Sequence, residues 1–174
     1  MSRTSERQME DDEEKIIREL VKDSRKSPYE IAKKCGFSRQ KVWRIIKRFE
    51  KNKTIWGYHA VVDIEKLGMK HFLILAKKAI EPVKETADII VTREIERKAK
   101  EIGIVIHGSH YLHGVYDWQI CFTAENIMQA KRFCEALAVL YHPVIKELEL
   151  LENIFTVKEG CIENPNLEKL KTFI

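Results

Sequence analysis

The chain has 174 residues, enough for one ordinary domain or two small ones. Its 44% hydrophobic and 33% charged residues, with seven Gly and four Pro, describe a soluble globular protein and exclude linker-type disorder. No apolar run approaches the roughly 18 residues of a membrane span. The opening MSRTSERQMEDDEEK lacks the apolar core of a secretion signal, so a cytoplasmic protein without a membrane partner is expected.

Cys35, Cys121, Cys134 and Cys161 are widely and irregularly spaced. With no C-x-x-C pair they suggest neither a zinc site nor a disulfide framework, and they read as thiols in a reducing compartment. The net charge of +4 is less informative than its distribution. Between Ser24 and Tyr58 eleven Lys or Arg face only Glu30 and Glu50, a local net of +9, whereas the remainder carries 20 basic and 25 acidic residues. A basic third attached to an acidic remainder is the charge signature of a nucleic-acid module on a separate scaffold.

The first dozen residues are polar and read as frayed. A helix is predicted from Asp11 or Asp12, where EDDEE complements the positive end of the helix dipole, to Asp23-Ser24. Ile16, Ile17, Leu20 and Val21 give it one buried stripe. A second helix starts at Ser27, a good N-cap, with Pro28 in the first helical position and Glu30 completing the capping turn. Ile31, Ala32 and Cys35 form its apolar face, and Gly36 stops it. Ser38 caps a third helix, whose Val42, Ile45, Ile46 and Phe49 recur at i, i+3, i+4 and i+7. The turn Cys35-Gly36-Phe37-Ser38 between the two is a helix-turn-helix connection. Thr54 to Val62, rich in β-branched and aromatic residues, predicts a short wing and an exit strand. Ile64 to Gly68 reads as a hinge.

From Met69 strands and helices alternate. A strand is predicted at His71–Ile80, broken by Pro82, then a helix from about Thr86 to Ile102 stopped by Gly103. Strands at Ile104–Leu112 and Tyr116–Ala124 follow at hairpin spacing. A helix over Glu125–Tyr141 is buried on Ile127, Ala130, Phe133, Cys134, Leu137 and Leu140. His142-Pro143 ends it, before a long strand from Val144 to Val157. The order β-α-β-β-α-β is that of a ferredoxin-like unit. The tail after Lys158 is polar with an amphipathic end (Leu167, Leu170, Phe173). The fold class is therefore α+β: an N-terminal winged helix-turn-helix (10–60), a short strand linker and hinge (61–68), a C-terminal ferredoxin-like βαββαβ domain (69–157) and a tail (158–174).

DNA affinity comes largely from phosphate neutralisation, and sequence choice from side chains at base edges. The third helix carries groups for both. Its N-terminal part presents Arg39, Gln40 and Trp43 or Arg44 to a major groove, where Arg pairs bidentately with guanine and Gln with adenine. Ser38, Lys41, Lys47 and Arg48, with Lys51 and Lys53, suit the flanking backbone. Arg25, Lys26, Ser27 and Tyr29, at the start of the second helix, suit the opposite rim.

The run from Asp12 to Gly68 resembles the leucine-responsive/AsnC (feast/famine) family of prokaryotic regulators. The resemblance rests on S-x-x-E-I-A at Ser27–Ala32, G-F-S at Gly36–Ser38, F-E at Phe49-Glu50, I-x-G-Y at Ile55–Tyr58 and D-x-x-x-L-G at Asp63–Gly68. The family's G-x-Y-D element stands as Gly114-Val115-Tyr116-Asp117. Ile45 departs from the Arg common in that helix, and the tail extends past the family's usual end. The resemblance implies a sequence-specific transcriptional regulator binding double-stranded DNA as a homodimer or higher oligomer. It also implies an amino acid or similar small effector near Gly114, Tyr116 and Asp117.

Two other functions compete. The same two-domain shape serves sirohaem-type decarboxylases, which have no need of a basic recognition helix, and a weakly selective architectural DNA-binding protein would keep one. No catalytic triad, Cys-His pair or glycine-rich phosphate loop is recognisable, so no enzyme activity, cofactor or metal is expected. His107, His110 and His113 do not make a metal site. His107 and His113 share a strand face at roughly 20 Å, at about 3.3 Å per residue, while His110 points away. Trp43, Trp56 and Trp118 read as partly buried packing residues.

Overall fold

The computed structural model describes residues 3–79 and 92–174. These divide into two compact units, one comprising residues 1–62 with 156–172 and 174, the other 63–155 with 173.

In the first unit, α1 (Arg3–Lys22), α2 (Pro28–Cys35) and α3 (Arg39–Lys51) enclose a core of Ile16, Leu20, Ile31, Ala32, Val42, Ile45, Ile46 and Phe49. Removing these apolar side chains from water drives the three helices together, since helical stability in proteins comes mostly from packing an apolar face. α1 begins eight residues before the predicted Asp11, because its polar leading residues carry no Gly or Pro to stop the helix. The acidic EDDEE run consequently sits inside the helix rather than in its first turn. Val21, expected in the stripe, is 60% exposed, because Ile16 and Leu20 face the core and Val21 is turned past it. Ser27 caps α2 as predicted, Ser38 caps α3, and Gly36 closes α2 at φ 74°.

The wing and exit strand expected over Thr54–Val62 do not form. Ile55 N–H bonds back to the Phe49 carbonyl, and the segment beyond it finds no partner strand. A strand needs a neighbour to complete its ladder, and propensity alone does not supply one. Trp56 is 93% exposed, contrary to its expected packing role, whereas Trp118 is buried.

The second unit follows a 3₁₀ turn at Ile64–Leu67, closed by Gly68 at φ 71°. Strands β1 (Lys70–Lys78), β2 (Val105–Tyr111), β3 (Trp118–Ala124) and β4 (Ile145–Asn153) form one antiparallel sheet in the order β2-β3-β1-β4. Among the described residues, the helices α4 (Glu94–Ile102) and α5 (Ile127–Leu140) accompany it. This is the ferredoxin-like arrangement the sequence predicts. Phe72, Ile74 and Ala76 of β1 alternate inward with Trp118, Ile120 and Phe122 of β3, meeting Ile95 and Ala99 of α4 and Ala130, Phe133 and Leu137 of α5.

Several boundaries shift. The helix expected from Thr86 does not run unbroken to Ile102, because Arg93 takes a left-handed φ of 57° before α4 begins; residues 86–91 of that prediction lie outside the described residues. α5 starts at Ile127 rather than Glu125, since Asn126 accepts the Gln129 N–H as N-cap, and Ile127 in its first turn is 38% exposed. β4 stops at Asn153, opposite His71 near the start of β1, so Ile154 to Val157 do not extend the β1–β4 ladder. The tail forms a two-residue hairpin pair, β5 (Lys158–Glu159) and β6 (Ile162–Glu163), and a 3₁₀ segment over Leu167–Thr172. Among the described residues no helix is long and apolar enough to cross a membrane.

Candidate nucleic-acid interface

α3 is laid out by its own sequence. Ser38 Oγ accepts the Lys41 N–H at 3.2 Å, which fixes where the helix starts. Thirteen residues then span about 20 Å, at about 1.5 Å per residue. With Val42, Ile45, Ile46 and Phe49 buried, the solvent side carries Arg39, Gln40, Trp43, Arg44, Lys47, Arg48 and Lys51. Gln40, Arg44, Lys47 and Lys51 follow one another at helical neighbour spacing on that side. Trp43 is 55% exposed at the flank of this row.

The cations are not equivalent. Arg39, Arg44 and Lys51 make no ion pair with a described residue, so their charges face outward. Lys41 pairs with Asp12 of α1 and lies 4.4 Å over the Phe37 ring. Arg48 pairs with Glu13 of α1, and Lys47 with Glu50 at 2.7 Å. Glu50 also accepts from the Tyr58 hydroxyl at 3.2 Å, and these donors hold its carboxyl below the usual range, the Lys47 ammonium foremost.

At the start of α2, Arg25 is held by Asp23 at 3.3 Å and Lys26 by Glu19 at 2.9 Å. The Ser27 hydroxyl is engaged with Glu30 at 2.8 Å, and Tyr29 stands 63% exposed. Glu19, with a side chain only 9% exposed, also binds Lys22 at 3.0 Å and Lys34 at 2.7 Å. Hydrogen bonds from Lys34, Lys26 and Lys22, in that order, pull its carboxyl down to about 2. No single-helix pattern could reveal this hub, because its partners come from α1, the following turn and α2.

In the second unit, the loop between β2 and β3 holds Gly114, Tyr116 and Asp117. Asp117 ties it to β1: its carboxylate accepts the Lys78 N–H at 2.8 Å, and its own N–H donates to the Ala76 carbonyl at 2.9 Å. Tyr116 donates its hydroxyl to Glu149 of β4, and the Lys77 ammonium sits 5.1 Å over its ring. Glu149 therefore joins this cluster, unpredicted because it lies across the sheet from Tyr116. Gly114 has open space around it and no left-handed φ, so the turn itself does not demand glycine there. His107 sits where the β2–β3 register shifts, its ring nitrogen 3.0 Å from Thr123 Oγ1, and regular alternation from His107 to His113 does not hold. Among the described residues no group of three or more His, Cys, Asp or Glu is placed to hold a metal.

Residues 13–55 match the winged helix-turn-helix DNA-binding family. No curated protein matches the sequence. Over nearly the whole chain, the structure is similar to an AsnC family transcriptional regulator from Agrobacterium tumefaciens, with a TM-score of 0.62, 18% identity and coverage of 96% of this chain and 99% of that one. The chain has the Lrp/AsnC fold. A second neighbour with this fold is LrpC of B. subtilis, with a TM-score of 0.58, 20% identity and coverage of 84% and 95%. A third is a transcriptional regulator from Neisseria meningitidis in complex with L-Met, with a TM-score of 0.64, 16% identity and coverage of 90% and 97%. In Lrp/AsnC-fold terms, α2 and α3 are the helix-turn-helix and the four-stranded sheet with α4 and α5 is the second domain.

Proposed function

We propose that this protein is a sequence-specific DNA-binding transcriptional regulator acting in the cytoplasm as a homodimer or larger assembly. Residues 10–60 read DNA, 61–68 serve as the hinge, 69–157 pair the subunits and 158–174 are an appended tail. The observation that carries the reading is the one-sided α3, capped by Ser38, with Arg39 and Arg44 making no ion pair with a described residue, beside Gln40. Arg39, Gln40 and Arg44 reach base edges, with Trp43 packed beside them; Ser38, Lys47 and Lys51 meet phosphates, and Arg25 and Tyr29 the opposite rim.

A small effector of amino-acid type acts at the loop carrying Gly114, Tyr116 and Asp117. The L-Met bound to the Neisseria regulator of the same fold supports this chemistry. The Tyr116–Glu149 pair supplies a carboxylate for an ammonium group.

The test is selection of bound duplexes from a random DNA pool, with and without an amino-acid mixture. One enriched motif is expected, with occupancy falling steeply as salt rises. Arg39→Ala or Arg44→Ala should weaken binding to that motif by about 1–3 kcal/mol and relax one base position. A pool that stays unenriched would leave an architectural, sequence-indifferent role instead.

A further inference from the structure

α1 is acidic where α2 and α3 are basic: residues 11–23 hold six acidic side chains against three basic ones. These acids are not scattered over solvent. Asp12, with a side chain 9% exposed, takes Lys41 in the first turn of α3. Glu13, 22% exposed, takes Arg48 in its last turns. Glu19 takes Lys26 at the start of α2, together with Lys22 and Lys34. Three cations that the sequence assigns to the DNA backbone are thus already matched by α1 carboxylates.

We infer that α1 is a built-in counter-charge: Asp12, Glu13 and Glu19 occupy Lys41, Arg48 and Lys26 in place of phosphate, which suppresses sequence-indifferent binding and leaves discrimination to Arg39, Gln40 and Arg44. The inference rests on the DNA-reading role of α3 proposed above. Its physical basis is the cost of exchange. A phosphate that drew Lys41 away would leave the Asp12 carboxylate in a desolvated position without that cation, and breaking such a pair is more expensive than either partner's gain in water. A cation that stays paired on both sides of the equilibrium releases no counterions from the DNA, so it adds nothing to the salt dependence of binding. Asp12, Glu13 and Glu19 are therefore positioning residues that set specificity by limiting the backbone term.

The experiment measures the affinity of the full-length protein for a random-sequence duplex by fluorescence anisotropy over a series of salt concentrations. Asp12→Asn, Glu13→Gln and Glu19→Gln are compared with Glu14→Gln, which removes the same charge but faces Arg18 within α1. Each freed cation should steepen the slope of log K against log salt by about 0.9 and raise affinity for the random duplex several-fold at low salt. Glu14→Gln should leave the slope unchanged. Far-UV circular dichroism checks folding, and Glu13→Gln, the most exposed of the three, keeps the test decisive if Asp12→Asn unfolds. Equal slopes for wild type and Glu13→Gln, or an equal increase in Glu14→Gln, would overturn the inference, the latter by reducing it to net charge. A wild-type salt slope that Lys51→Ala lowers but Glu13→Gln does not steepen would leave the DNA-binding role intact while the inference fails. A wild type that binds no duplex overturns both.

Discussion

Ser27 and Glu30 cap α2 reciprocally: Ser27 Oγ accepts the Glu30 N–H at 3.3 Å, and the Glu30 carboxylate accepts the Ser27 N–H at 2.7 Å. Two of the backbone donors that every helix start leaves unpaired are satisfied by one pair of side chains. Donation to the Glu30 carboxylate from the Ser27 N–H, and then from the Ser27 hydroxyl at 2.8 Å, lowers that carboxyl below its usual range. Ser27→Ala should therefore destabilise the helical unit by about 1 kcal/mol. Urea unfolding followed at 222 nm measures this, and Ser27→Asp should recover most of the loss. An unchanged midpoint in Ser27→Ala would remove the cap from the account of α2.

Gly36 turns the chain between α2 and α3 at φ 74°, with open space where a Cβ would sit. Steric crowding is thus not the obstacle to a side chain; the left-handed backbone is, at about 1–2 kcal/mol for an L-residue. Gly36→Ala should lose that amount in equilibrium unfolding, and Gly36→Asn should lose less, because Asn tolerates this conformation. Equal stability of the Ala variant and wild type would contradict a left-handed turn.

Glu19 makes the helical unit sensitive to acid. Its folded carboxyl titrates at about 2 against an ordinary 4.5. The folded state therefore binds its proton less readily than the unfolded chain does. The stabilisation from the Lys22, Lys26 and Lys34 pairs is complete above about pH 4.5 and is lost as pH falls toward 2. Denaturant midpoints at pH 6 and pH 3 should differ more for wild type than for Glu19→Gln. If the two proteins lose the same stability over that interval, the lysine hub is not what responds.

Phe133 of α5 is fully buried, 5.0 Å from Phe122 in a T-shaped contact over the sheet. Phe133→Ala should cost about 3–5 kcal/mol through lost burial and the cavity left behind. Thermal unfolding should show a large fall in the stability of the second unit. A fall under 1 kcal/mol would mean that α5 does not pack on β3 as described.

Features governed by neighbours in the chain are legible in the sequence. Ser27, Ser38 and Gly36 act within one turn, so their residue types suffice to place the caps and the reversal. The stripe Val42, Ile45, Ile46, Phe49 follows from helical period, and so does the outward row that includes Arg39, Gln40 and Arg44. The succession of strand-like and helix-like segments after Met69 likewise carries the ferredoxin-like order. What lay beyond reach depends on distant partners. Thr54–Val62 has the composition of a strand, but no neighbour completes its ladder. Tyr116 meets Glu149 only because β1 lies between β3 and β4. Lys41 is one more cation on a basic helix when read along the chain. Only the packing of α1 against α2 and α3 gives it Asp12, 29 residues away in sequence, as a partner and sets it apart from Arg39 and Arg44. The sequence by itself determined a basic helix; the tertiary structure decided which of its charges are paired, because a charge is neutralised by whatever lies within a few ångströms, however far along the chain.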